Sequence, residues 1–411
     1  MMAARKAFIF DIDGVLVDPK GYRKAVQATQ AYFTHAMGLS DRLLVDDGIY
    51  GFFEACRVTS EWDMVPLALA ILLEEILAKH PELNRHKNLE DCIRAIRRIP
   101  PDHLPNKIDY VTPIQAFSTH LTPGNYPAYQ VLKLAQPHTS GLEGPRSSEF
   151  PIFPALAQTP LLEILLGHTR DIEQSSTTRL FQQFSLGSKA FKQTYELSPD
   201  VQTSSYLLEN DQPLLPKPLS QTLFRHYLAE ELALCAYTMR PSLPPIEVQT
   251  DNKQGYSPEA EMGLKLVSLT DIPLIGYGRI HYLAQHAGLP TENMLKPSPL
   301  QAIAAILAAI SRNELYALQT ALKVQQGKKG ALDSLFLADE INVHVFEDST
   351  GGIVAMQLAA EILAQFGLIV KVQPYGISNH PEKEAALRGL DIPIFRSTEQ
   401  AVNAAMSAEA F

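Results

Sequence analysis

The sequence predicts an α/β protein whose parallel-sheet core is interrupted, just after the first strand, by a large and mainly helical domain. Three observations lead there. Short apolar runs alternate with helical spacing at Ala7–Phe10, Leu232–Thr238, Ile341–Phe346, residues 367–374 and Asp391–Phe395, the pattern of parallel strands joined by crossover helices. The first run precedes the second by about 220 residues, whereas the later ones follow at ordinary spacing. Between them, Tyr22–Met37 and Asp63–Lys79 carry apolar residues at helical period, and no convincing series of strands occurs. The core is therefore assigned to residues 1–20 and 226–411. The insert is residues 21–225, with a proline-rich, loop-rich extension over about 100–220.

Composition bounds the function. With 411 residues, 46% hydrophobic and 19% charged, the chain can bury a large core and is long enough for two domains. A formal charge of -10 argues against a broad grip on nucleic acid or an anionic membrane. Three distant cysteines, Cys56, Cys92 and Cys235, supply neither a disulfide framework nor CxxC zinc spacing, so a reducing cytoplasm is expected. The longest apolar runs, Val65–Leu73 and Ala302–Ile310, fall well short of a membrane span and read as core helices. The basic residues before Ala7 resemble the start of a signal peptide, but Asp11 and Asp13 end the apolar run too early. Many of the 29 prolines crowd into 100–160 and 213–245, and residues 112–160 read as loop. His281 and His286, five apart, share no helical face and read as surface residues.

The chemistry begins at Phe8-Ile9-Phe10-Asp11-Ile12-Asp13-Gly14-Val15-Leu16-Val17-Asp18, where two carboxylates stand just past an apolar strand and a glycine lets the chain turn away. In an open parallel sheet, ligands bind at the carboxyl ends of strands. The plain alternative is a turn rich in aspartate. The run resembles the first motif of the haloacid dehalogenase superfamily, most of whose members are phosphatases on a Rossmann-like core. That resemblance implies that Asp11 is a nucleophile that becomes an aspartyl phosphate. Asp13 would protonate the leaving oxygen and then deprotonate the hydrolytic water. Attack by one anion on another needs a divalent cation, expected to be Mg2+, with the Asp13 carbonyl facing it. True dehalogenases of the superfamily lack a carboxylate at the position of Asp13, which favours phosphoryl transfer.

The remaining motifs follow in order. Thr238, with Met239 and Arg240, closes the run from Leu232 and matches the second motif, whose hydroxyl and following N–H bind a phosphoryl oxygen. Arg240 faces either the substrate or solvent. Lys296, before Pro297 and a helix, matches the lysine that balances the clustered negative charge. Val343–Phe346 leads into Glu347-Asp348-Ser349-Thr350-Gly351-Gly352, matching the acidic fourth motif. Its metal set would be Asp11, Asp13, Asp348 and Glu347, with Asp348 the more direct of the last two. Many members carry Gly-Asp there, with a further aspartate four residues on, where this chain has Gly352.

An insert between the first and second motifs corresponds in this superfamily to a helical cap that selects substrate. Glu61, Trp62 and Asp63, with Arg57, resemble an acidic-Trp-Asp run of one subgroup, and Leu186-Gly187 resembles its helix-breaking loop. That subgroup usually has a glycine pair near Arg57 and Val58, absent here. Glu61 and Trp62 are candidate substrate contacts. The alternative is that Asp63 caps the following helix and Trp62 packs beneath it. The expected activity is Mg2+-dependent hydrolysis of a small phosphorylated metabolite, phosphoglycolate-like or sugar-phosphate-like. A sugar-phosphate mutase and a low-activity binding protein using its large cap are the alternatives.

Overall fold

The computed structural model describes residues 6–122, 126–136, 152–328, 330, 332 and 340–407. Residues 1–5 and 137–151, on which part of the signal-peptide and loop readings rested, lie outside the described residues. The chain divides into two units, residues 1–20 with 210–411 and residues 21–209.

The first unit holds strands β1 (Lys6–Phe10), β2 (Val17–Asp18), β3 (Gln212–Pro213), β4 (Ala233–Tyr237), β5 (Leu274–Ile275), β6 (Ile341–Glu347), β7 (Val370–Ile377) and β8 (Ile394–Phe395). Six form one parallel sheet in the order β5-β4-β1-β6-β7-β8, while β2 and β3 make a small antiparallel pair. This is the doubly wound order, in which the chain leaves β1 toward β4 and β5 and later returns to place β6 on its other side. The switch point lies between β1 and β6, and in sheets of this order ligands bind beyond the strand ends at that point.

Side chains alternate across the sheet. Ala7, Ile9, Cys235, Tyr237, Val343 and Val345 join one apolar cluster, and Phe8, Phe10, Leu234, Ala236 and Phe346 join the other. The first cluster is filled by the helix Pro299–Ser311, buried nearly all round, as its unbroken apolar run requires. Leu215, Leu223 and Tyr227 belong to the second cluster. The unit boundary therefore falls at 209/210 and not near 225, because β3 and the helix Lys217–Leu228 are built into the core. β5 was not expected: two residues after Pro273 are too short to carry a period.

The second unit has no strand among its described residues. The helix Glu61–Lys79 is buried on most of its circumference, in contact with Pro127–Ala135, Leu161–Leu166 and Ser176–Leu186. Helices Val111–Ser118 and Pro127–Ala135 occupy part of the stretch expected to be loop. Pro127 stands at a helix start, where its missing N–H costs nothing, so the proline that suggested punctuation opens a helix instead. No described helix is long and apolar enough to cross a membrane.

Candidate active site

Asp11 leaves β1 at the switch point, its N–H donating to the Phe346 carbonyl at 3.0 Å, which fixes it beside the end of β6. Its Oδ1 accepts from the Ile12 N–H at 2.7 Å, and its Oδ2 lies 3.1 Å from Lys296 Nζ. Gly14 takes φ +74°, and a Cβ there would overlap the Asp348 carboxylate, so the glycine both turns the chain and makes room for an acid.

Lys296 is held from several sides. Its ammonium donates to Glu347 Oε1 at 2.5 Å and to the Tyr237 carbonyl at 2.8 Å, and it stands 3.9 Å over the Tyr237 ring. The buried Gln301 accepts from the Lys296 N–H and donates to the Thr238 and Ile275 carbonyls, tying this loop to the ends of β4 and β5. Burial alone would lower the Lys296 pKa, but Asp11 and Glu347 outweigh it and raise it.

Asp11, Glu347 and Asp348 can each offer an oxygen within 4.8 Å of the others. Burial pushes the Glu347 carboxyl upward and Asp11 and Asp348 push the same way, against Lys296. Asp348 is raised chiefly by burial, with Asp11 and Asp13 adding to it and Lys383 opposing. Crowded buried carboxylates with hard oxygen donors fit a magnesium-type cation. Gly352 leaves room for Glu347: a Cβ there would run into the Glu347 carboxylate, which itself accepts from Ser349 Oγ at 2.9 Å. Glu347 thus fills the space that a side chain at 352 would need.

Asp13 stands apart from this trio. Its Oδ1 receives Arg240 Nε at 2.7 Å and Nη2 at 2.6 Å, and Nη2 also reaches Asp211 Oδ2 at 2.9 Å. The Arg240 side chain is 1% exposed, so it is a buried bridge between two carboxylates and not a solvated loop residue. The Thr238 hydroxyl is buried and accepts from the Arg240 N–H at 3.2 Å, while Met239 is exposed.

In the second unit, Trp62 is buried and Glu61 half-buried at the start of the helix Glu61–Lys79. Ser60, not Asp63, holds the N-cap position, which corrects the capping alternative. Asp63 instead accepts from Arg170 at 2.7 Å, from Thr169 Oγ1 at 3.3 Å and from the Ala128 N–H at 3.4 Å. Arg170 lies 4.2 Å over Tyr126 and 5.5 Å over Trp62. Arg57 is exposed at φ +67°, and the Val58 N–H returns to the Phe53 carbonyl, so the chain keeps the left-handed helix end that glycine favours without having glycine there. Gly187, at φ +80°, separates two helices where a Cβ would crowd the Ser205 backbone. His281 corrects the surface reading: it is buried, 3.0 Å from Thr291 Oγ1 and stacked on Tyr277, whereas His286 is exposed.

Asp211, Gln301 and Lys383 were not singled out in the sequence. Asp211 and Lys383 are lone polar residues brought to the site only by the fold, whereas Gln301 lies five residues past Lys296 as the one amide in an apolar helix.

No protein-family model matches the chain, and no curated protein sequence matches it. Among solved structures, an X-ray structure of a Northeast Structural Genomics Consortium target matches 98% of this chain and 99% of its own, at 14% identity and TM-score 0.56. The likeness shows the fold alone: an α/β protein with a doubly wound parallel sheet and a helical unit. A phosphatase, Tt82 from Thermococcus thioreducens, aligns over 93% of this chain and 99% of its own at 14% identity, but its TM-score of 0.39 is too low to carry an argument.

Proposed function

We propose that this chain is a phosphatase of the haloacid dehalogenase type, hydrolysing a small phosphorylated metabolite through an aspartyl phosphate on Asp11. The observation that carries this reading is the Asp11 carboxylate at the sheet's switch point, with Lys296 Nζ 3.1 Å away and the carboxylates of Glu347 and Asp348 beside it.

In this reading an Asp11 oxygen attacks phosphorus, and the bond from phosphorus to the leaving oxygen breaks. Asp13 gives that oxygen its proton, then takes one from the water that attacks the phosphoenzyme, releasing phosphate and regenerating Asp11. Arg240 engages Oδ1 of Asp13, so in this reading the transferred proton is carried on Oδ2. Lys296 holds the Asp11 and Glu347 charges in place. Asp11, Glu347 and Asp348 would hold Mg2+, which supplies charge neutralisation at the transferring phosphoryl group. Phosphate release from a panel of phosphoglycolate, sugar phosphates and nucleotides, with the wild type and Asp11→Asn, tests the proposal. Release by the wild type alone is expected, and equal release by the variant overturns it.

A further inference from the structure

Each carboxylate of the site faces a cation from its own unit, but the cations differ in their access to water. Arg240 and Lys296 are enclosed, with side chains 1% and 6% exposed. Lys383, on the helix Pro381–Arg388 after β7, has a side chain 52% exposed, yet its ammonium contacts Oδ2 of Asp348, whose own side chain is 13% exposed. An enclosed acid is thus covered from the solvent side by a hydrated point charge on a flexible stem. The same Asp348 is one of the three residues whose oxygens converge on a candidate cation position. An ammonium and a divalent cation cannot both take the same face of one carboxylate oxygen.

We propose that Lys383 is an exchangeable counter-cation of Asp348: it covers the carboxylate in the ion-free protein and is displaced when a divalent cation binds. The affinity of the site for the ion is then set by competition with the chain's own ammonium. This inference rests on the metal reading above and deepens it. Lys383 can leave cheaply because half of its side chain already stands in water, whereas Lys296 cannot. Since a half-exposed pair is weak and screened by salt, removing the competitor should tighten binding by about two- to fivefold at low ionic strength.

The test uses the full chain and measures Mg2+ binding by calorimetry, with Mn2+ binding by loss of the free-ion electron paramagnetic resonance signal as a second readout. Lys383→Met should bind both ions about two- to fivefold more tightly than the wild type, Lys383→Arg should bind as the wild type does, and the gap should shrink in high salt. Asp348→Asn marks the site by losing affinity. If Asp348→Asn loses binding while Lys383→Met binds no more tightly than the wild type, the exchange is overturned and the metal site stands. If the wild type and Asp348→Asn bind alike, or neither binds, the metal reading itself fails and the exchange falls with it.

Discussion

Asp11 and Asp63 are both buried carboxylates facing a cation from a distant part of their own unit, yet their surroundings differ in kind. Asp63 is saturated: Arg170 takes both oxygens, and Thr169 and the Ala128 N–H share one of them. Around it are aromatic rings, which add attraction to the guanidinium and no competing charge. Asp11 has Lys296, but it shares that lysine with Glu347, and Asp348 adds a third acid to the crowd. Such crowding is destabilising without a further cation, whereas the Asp63 pair is self-contained. Burial of a charge alone therefore does not single out a candidate site; mutual repulsion among buried charges is the better pointer.

The largest expected effect breaks the comparison at its reactive end. Asp11→Asn should lower phosphate release by about three powers of ten or more, while its melting temperature stays level or rises as repulsion is relieved. A fall in melting with activity retained would make Asp11 the structural acid instead. Excess chelator should cut turnover by about a hundredfold or more, reversed by Mg2+. Mg2+ should also raise the melting temperature of the wild type and raise that of Asp11→Asn less; an equal rise in both would place the ion elsewhere.

Asp63→Ala should act in the opposite sense, leaving the buried Arg170 guanidinium without its carboxylate at a cost of about 3–5 kcal/mol in urea unfolding. A loss near zero would show that the pair is dispensable. A third buried ionisable group extends the contrast. Burial, with Lys6 adding to it, holds His344 down at about 4, and its ring sits against Phe8 and Tyr375. Because the folded value lies below the unfolded one, this contribution is complete above pH 6.5 and is lost as pH falls toward 4. The loss amounts to about 3 kcal/mol. His344→Phe should flatten that part of the wild-type pH dependence, and an unchanged slope would remove the assignment. The smallest effect is Arg57→Gly, which should stabilise by about 1 kcal/mol by relieving the left-handed backbone; destabilisation would mean the Arg57 side chain contributes more than its conformation costs.

The same contrast explains what the sequence could reveal. Asp11, Thr238, Lys296 and Glu347-Asp348 each follow an apolar strand or precede a helix, so local pattern and chain order predict their meeting at the carboxyl ends of the strands. Asp211 and Lys383 have no such frame: each reaches the site through a contact across the fold that leaves no periodic trace. The parallel sheet was legible from alternating apolar runs, but β5 was too brief to show. A boundary at 225/226 cuts through the helix Lys217–Leu228, because nothing in its sequence says which unit buries Leu223. In the insert, Trp62 and Asp63 look like a presenting loop in one dimension, and only Arg170, more than a hundred residues on, shows that they close on an internal partner.

Gly352 and Glu347 occupy one volume between them. A longer residue at 352 forces the acid at 347 to retract, and a shorter residue at 347 leaves a hole that 352 could fill with an acid of its own. The two positions are therefore sterically coupled, and the effect of a change at one depends on the residue at the other. Gly352→Asp made alone should injure the site, and Gly352→Asp combined with Glu347→Gly should restore much of what either change removes, a dependence between sites that no single-position comparison would register.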